Sequence, residues 1–265
     1  MPLNGRGRWT ARLGLMLVGL LLAIGAAGAQ PADSSPPVAA FDHYTLALTW
    51  HPGFCVTRRS PPRECREPRL REAAGEGFVL HGLWPSRPER FAEAGVSRRQ
   101  WRAEGCFGES PRPDGGFCRA HAPFQLPGAL AARLDRMMPG RASCLDRHEY
   151  AKHAACLAIA PTDYFTTALE LLTAVNASAF ADFVVFHQGG AVARNDLIAA
   201  FEAAFGEGRG RALQLVCAGR GNRRLTEVRI GIRARALGAF PAADSLVALR
   251  RGRCASRVRV TAARQ

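Results

Sequence analysis

All eight cysteines of the chain, Cys55, Cys65, Cys106, Cys118, Cys144, Cys156, Cys217 and Cys254, lie downstream of a segment with the marks of an export signal. Arg6, Arg8 and Arg12 supply a positive start, residues 13–24 an apolar run, and Ala27-Gly28-Ala29 a small-residue cleavage site. The expectation is a signal peptide at 1–29, removed so that the mature chain begins at Gln30. The apolar run is too short for a membrane anchor, and no later stretch could span a bilayer. The protein is therefore expected to be soluble and periplasmic or secreted. An even cysteine count in an exported chain reads as four disulfides. A zinc site would want close C-x-x-C pairs, and the sequence has none. Spacing leaves the pairing open, with one exclusion. If residues 144–156 are helical, Cys144 and Cys156 stand about 18 Å apart, beyond disulfide reach.

The chain carries 36 Lys and Arg against 22 Asp and Glu, a net charge of +14. Without the three arginines of the targeting segment the charge is +11. Such a surface attracts polyanions or acidic membranes, although a merely solvated, arginine-rich surface would look the same. Lys152 is the chain's only lysine, and it sits beside two histidines and a glutamate. A compact ammonium is not equivalent to a guanidinium.

Along the chain, residues 30–40 form a polar, proline-rich leader expected to be disordered. Residues 43–50 alternate as a half-buried strand with Tyr44, Leu46, Leu48 and Trp50 on one face. Residues 51–77 read as a long charged loop, and 78–84 as a buried strand ending at Pro85. Helical patterns follow at 97–104 with Ser97 as cap, 126–138, 144–157, 161–174, 178–186, and 194–205 with Asn195 or Asp196 as cap. Residues 105–123 are loop. Strands are expected at 214–218, 224–232 and 258–261. Strands and helices do not alternate regularly. The expectation is one α+β domain over 41–265, an antiparallel central sheet flanked by helices and stapled by disulfides.

The informative segment is His148-Glu149-Tyr150-Ala151-Lys152-His153-Ala154-Ala155-Cys156. On a helix, with His148 at zero, Lys152 falls at about 40°, Cys156 at about 80°, Glu149 at about 100° and His153 at about 140°. Both histidines, the acid and the lysine then share one arc. A plain solvated face with Glu149–His153 and Glu149–Lys152 pairs would show the same pattern. A zinc protease would place its histidines four apart, not five. The second segment is His81-Gly82-Leu83-Trp84-Pro85. Alone, it would read as core.

Together the two segments resemble the paired active-site motifs of the ribonuclease T2 family. His81 to Pro85 match its histidine-glycine-leucine-tryptophan-proline run, and His148 to Cys156 its histidine-glutamate-aromatic-x-lysine-histidine run ending in cysteine. The resemblance runs from about Phe41 to Cys254 and is nearest to the bacterial periplasmic, ribonuclease I-like branch. Tyr150 and Ala154 stand where many members have tryptophan and glycine, and Ala154 is expected to put a methyl near the catalytic face. The resemblance implies His153 as general base, His81 as general acid, Lys152 and Glu149 at the phosphate or transition state, His148 as phosphate binder, and Trp84 packed against His81 and substrate. It implies a metal-independent endoribonuclease without cofactor. Single-stranded RNA would be cut through a 2′,3′-cyclic phosphate to a 3′-phosphate with low base specificity, and DNA left intact. It also implies Cys106–Cys156 and Cys217–Cys254. Cys55–Cys65 is expected from proximity, which leaves Cys118–Cys144. A monomer is expected. Trp50, Trp101, Phe107 and Phe117 are candidates for base stacking, but each reads first as a core residue. The rival reading is a catalytically inactive, exported RNA-binding protein on the same fold.

Overall fold

The alternation at the start of the chain does form a strand, β1 (His43–Thr49), and it is a central strand of the sheet. The structure is a computed structural model that describes residues 40–263. The targeting segment expected at 1–29 and nearly all of the leader expected at 30–40 lie outside the described residues. After β1 come three short helices, α1 (His51–Val56), α2 (Arg63–Arg66) and α3 (Pro68–Ala73), then β2 (Val79–Pro85). Next are α4 (Glu89–Glu93), α5 (Arg98–Glu104), α6 (Phe117–Ala120), α7 (Gly128–Met137) and α8 (Leu145–His153). The remainder is α9 (Pro161–Asn176), α10 (Ala179–Phe186), β3 (Ala191–Ala193), α11 (Arg194–Phe205), β4 (Leu213–Ala218), β5 (Arg224–Arg233) and β6 (Arg257–Arg259).

The sheet order is β2-β1-β5-β6-β3, with β4 also on β5. The fold is α+β, as expected. The sheet is mixed rather than purely antiparallel, because β5 and β6 pair in parallel at Arg224 and Arg259. Side chains alternate along a strand, so the sheet has two faces. One carries Leu46, Leu48, Leu80, Leu83, Val228 and Ile230, each at most 2 % exposed. It belongs to one core with Phe165, Leu169 and Leu172 of α9, Phe180 of α10 and Phe201 of α11. Burying each such side chain contributes about 1.5–3 kcal/mol. The opposite face carries Thr45, Ala47 and Thr49 of β1, whose partners are Trp84, Gly82 and Val79 on β2 and Gly231, Arg229 and Glu227 on β5. Small residues on the middle strand of that face leave room for polar side chains from its neighbours.

The entry to β2 is fixed from the helical layer. The Asn176 side chain accepts from the Phe78 amide at 3.0 Å and donates to the Phe78 carbonyl at 2.9 Å. Ser97 caps α5 and Ser178 caps α10 through hydroxyls that accept from Gln100 and Ala181. Among the described residues no single helix is long and apolar enough to cross a membrane.

Several local expectations are corrected. The segment 51–77 is built of α1 to α3 rather than loop, and 105–123 contains a 3-10 turn (Gly105–Gly108) and α6. Charged and glycine-rich composition hides these short helices; disulfides tie α1 to α2, the 3-10 turn to Cys156 and α6 to Cys144. At α11 neither Asn195 nor Asp196 caps; Ala193 is the N-cap and makes no side-chain bond. The helix expected at 144–157 stops at His153. Ala154 leaves helical geometry at φ −134°, and Cys156 lies in the following 3-10 turn rather than on the helical arc.

The four disulfides are Cys55–Cys65, Cys106–Cys156, Cys118–Cys144 and Cys217–Cys254, as expected. Two of them bracket α8. Cys144 is its N-cap residue, and Cys156 follows its C-terminus by one turn.

Candidate active site

His81 stands at a fault in the sheet. The register of β1 on β2 steps from Ala47↔Gly82 to Leu48↔Leu80, which leaves His81 as an extra residue, a β-bulge. A bulge re-aims the side chain it carries. A second fault, between β4 and β5, leaves Thr226 unpaired beside Glu227. The His81 imidazole reaches across small-residue β1 to β5, where its Nδ1–H donates to Glu227 Oε2 at 2.5 Å. Glu227 Oε1 accepts from the Arg229 guanidinium. Glu227 is 7 % exposed.

The other side of the site comes from α8. Glu149 is 3 % exposed, and its Oε2 accepts from Trp84 Nε1 at 2.6 Å. Its two oxygens face both histidines: His81 Nε2 lies 3.6 Å from Oε1 and His153 Nε2 lies 3.8 Å from Oε2. Trp84 is the shared wall. The His153 ring stacks on it with centroids 5.4 Å apart, the His81 ring meets it edge-on at 5.1 Å, and the Arg229 guanidinium lies 4.8 Å from its centroid. The separated motifs therefore meet around one carboxylate and one indole.

Two glycines permit this closeness. A Cβ on Gly82 would stand 2.2 Å from Glu149 Oε2 and 2.6 Å from Trp84 Nε1. Gly105, at φ +55°, would put a Cβ 2.2 Å from the Lys152 carbonyl. That glycine adjoins Cys106 of the Cys106–Cys156 bridge, so the turn at 105–108 packs directly on the end of α8.

The electrostatics separate the two histidines. Burial pushes His81 down, but the carboxylates of Glu227 and Glu149 and the Glu227 hydrogen bond outweigh it and raise its pKa to about 9. Burial and the charges of Lys152, His81 and His148 hold His153 well below the ordinary histidine value. Near neutral pH His81 is a cation and His153 a free base. Burial raises the Glu149 carboxyl, against the His81 charge, the Trp84 hydrogen bond and Lys152. Burial would raise Glu227 too, but His81 and Arg229 hold it below the usual carboxylate range. Such splitting of titratable groups marks acid–base sites.

His148 occupies the flank. Its ring stacks on Phe117 at 4.1 Å and lies near Phe107 at 5.6 Å and His121 at 5.6 Å. Burial and the charges of Lys152, His121, Arg112 and His81 lower its pKa to about 4. Near neutral pH it is a neutral ring rather than a cation.

All six motif residues expected at the site lie in this region: Glu149 and Trp84 touch each other and each meets both His81 and His153, with His148 and Lys152 adjoining. Of the aromatic candidates, Trp50 is fully buried and Trp101 is 3 % exposed, so neither can stack a base. Their indoles donate to the carbonyls of Thr261 and Pro85. Phe107 and Phe117 stand half-buried beside His148. Ala154 is fully buried in the main core rather than at the cleft. Sequence reasoning missed Glu227 and Arg229. They alternate with Thr226, Val228 and Ile230, a pattern that reads as an ordinary solvent face on a strand.

The family model described as the Ribonuclease T2 family matches residues 41–240. Ribonuclease I of Escherichia coli is 36 % identical over 218 residues, which cover 78 % of this chain and 81 % of that protein. A ribonuclease of Aeromonas hydrophila is 26 % identical over 157 residues, 59 % of this chain and 56 % of that one. Among solved structures, the self-incompatibility-associated SF11-RNase of Nicotiana alata superposes with a TM-score of 0.56 at 19 % identity, covering 83 % of this chain and 99 % of that chain. A variant of RNase MC1 in complex with 5′-GMP gives 0.53 at 17 % identity, covering 83 % and 100 %. These two show the same fold.

Proposed function

The chain belongs to the ribonuclease T2 family and is an endoribonuclease, and from that premise we propose that it cuts single-stranded RNA with His153 as base and His81 as acid. The observation that carries this reading is the geometry by which His81 and His153 share Glu149 and Trp84; the raised pKa of His81 and the lowered pKa of His153 agree with it. Neutral His153 takes the proton of the substrate's 2′-hydroxyl. The 2′-oxygen attacks the adjacent phosphorus, the bond to the 5′-oxygen breaks, and cationic His81 protonates that leaving oxygen. The product is a 2′,3′-cyclic phosphate. Water then opens it to a 3′-phosphate with the two histidines exchanging roles. Each proton transfer is worth on the order of 10² to 10⁴ in rate.

Negative charge collects on the phosphate oxygens in the transition state. Lys152 supplies a compact cation there, and buried Glu149 keeps the two rings apart and oriented. His148 donates a hydrogen bond to phosphate as a neutral ring, and Phe107 and Phe117 beside it offer apolar faces to a base. Base, acid and cation all come from side chains, so activity persists in excess chelator. DNA lacks the nucleophile and is not cut.

The domain is exported after cleavage behind Ala29 and works in the periplasm or outside the cell as a monomer. Four disulfides suit an oxidising compartment. The inactive RNA-binding alternative is not favoured, because both central histidines are present and paired with their partners. The test is incubation of the mature protein with single-stranded RNA and with DNA in chelator, followed by analysis of product ends. Cyclic and 3′-phosphate ends on RNA, with intact DNA, are expected. Ends carrying a 5′-phosphate would refute the reading.

A further inference from the structure

We propose that Glu227 is the positioning residue of His81, turning the imidazole so that Nε2–H alone is free to meet the leaving oxygen. This rests on the reading of His81 as the general acid. The geometry is specific. Glu227 is almost fully buried and its two oxygens are divided, Oε2 to His81 Nδ1 at 2.5 Å and Oε1 to Arg229. With Nδ1 committed, the ring cannot turn over. Among the described residues the carboxylate oxygen facing Nε2 is Glu149 Oε1 at 3.6 Å, too long for a hydrogen bond. Nε2–H is thus left for substrate.

The sheet irregularities serve this contact. The bulge at His81 and the one at Thr226 lie on strands either side of β1, and each adjusts one end of the His81–Glu227 bond. The charged and titratable groups around His81 are Glu227 and Arg229 from β5 and His148, Glu149, Lys152 and His153 from α8. Among the described residues only Glu227 bonds the ring. Against burial, the His81 charge and hydrogen bond and then Arg229 hold Glu227 below the usual carboxylate range, so the carboxylate orients the imidazolium without taking its proton. In the proposed step the proton leaves Nε2 for the 5′-oxygen as the P–O bond breaks and its electron pair goes to that oxygen. The ring becomes neutral and keeps Nδ1–H on Glu227.

The test compares Glu227→Ala and Glu227→Gln with the mature wild-type protein on two substrates: a dinucleotide, and a nucleoside 3′-(p-nitrophenyl phosphate), whose leaving group needs no proton. On the dinucleotide, Glu227→Ala should lower kcat roughly 10- to 100-fold with KM little changed. The alkaline limb of its pH profile should move to lower pH. On the aryl ester most of that loss should vanish. Glu227→Gln is isosteric and keeps an acceptor without the charge; it should show the same alkaline shift with a smaller loss. An equal loss on both substrates, or an unshifted limb in both variants, would overturn the inference. His81→Ala separates this from the underlying assignment. If His81→Ala is rescued by the aryl ester while the Glu227 variants behave like wild type, only the role of Glu227 fails. If His81→Ala is not rescued, His81 is not the acid.

Discussion

The Glu149 carboxylate lies where a side chain on Gly82 would have to be, with Oε2 only 2.2 Å from the position a Cβ would take. The glycine that follows His81 is therefore a spatial requirement of the other motif. Gly82→Ala should push the Glu149 carboxylate and the Trp84 indole away from the Gly82 backbone by an ångström or more. Misplacement on that scale costs on the order of 10² in rate. Steady-state kinetics with a melting curve would check it, and wild-type kcat in a folded Gly82→Ala protein would contradict the packing described.

The pH profile should be wide. The free enzyme needs His153 unprotonated and His81 protonated. His153 has its pKa depressed, so activity should rise with pH through a value well below 6.5. His81 has its pKa raised to about 9, so activity should fall only as pH passes through that region. The plateau of kcat/KM should span neutrality. A narrow bell centred on the ordinary histidine value would mean the two rings do not sit in the environments described.

His81→Ala and His153→Ala should each lower kcat on RNA by on the order of 10² to 10⁴ with the fold intact. The double variant should be little worse than either single one, because base and acid act in one step. Near-wild-type turnover in either single variant would remove it from the reaction.

Much of this site was legible in the residues. The alternation at β1, the cap at Ser97 and the run at β2 each rest on local rules, and the structure follows them. The arc of His148, Glu149, Lys152 and His153 was readable because helical spacing alone puts them together. The same spacing misleads at Cys156, because the helix ends at His153: Ala154 leaves helical geometry, and Cys156 is bridged to Cys106 in the following turn. Glu227 was out of reach because its partner is 146 residues away and joined only through strand order and two register faults. Such faults arise from tertiary packing and leave no period in the sequence.

The ring of His148 lies against Phe117 and Phe107, and its neutrality sets what it can contribute. A neutral ring can donate one hydrogen bond to phosphate but adds no charge. His148→Ala should therefore raise KM for RNA more than it lowers kcat, and the change should depend little on pH above 5. Loss of kcat matching that of His153→Ala would give His148 a share in proton transfer.

The Cys106–Cys156 bridge closes 50 residues of chain and holds the Gly105–Gly108 turn against the Lys152 backbone. Loop-closure entropy puts its contribution at about 4 kcal/mol, against about 3 kcal/mol for the shorter Cys55–Cys65 loop. The two bridges should differ more in their effect on turnover than in their effect on stability. Cys106 and Cys156 pin the end of the helix that carries Lys152 and His153, whereas Cys55–Cys65 joins two short helices, α1 and α2. Replacing both cysteines of each bridge by serine avoids stray thiols. The Cys106/Cys156 pair of replacements should lower kcat in protein that is still folded, and the Cys55/Cys65 pair should lower the melting temperature while leaving kcat near wild type. Equal kcat in both variants, measured below their melting transitions, would show that α8 holds its catalytic face without the bridge.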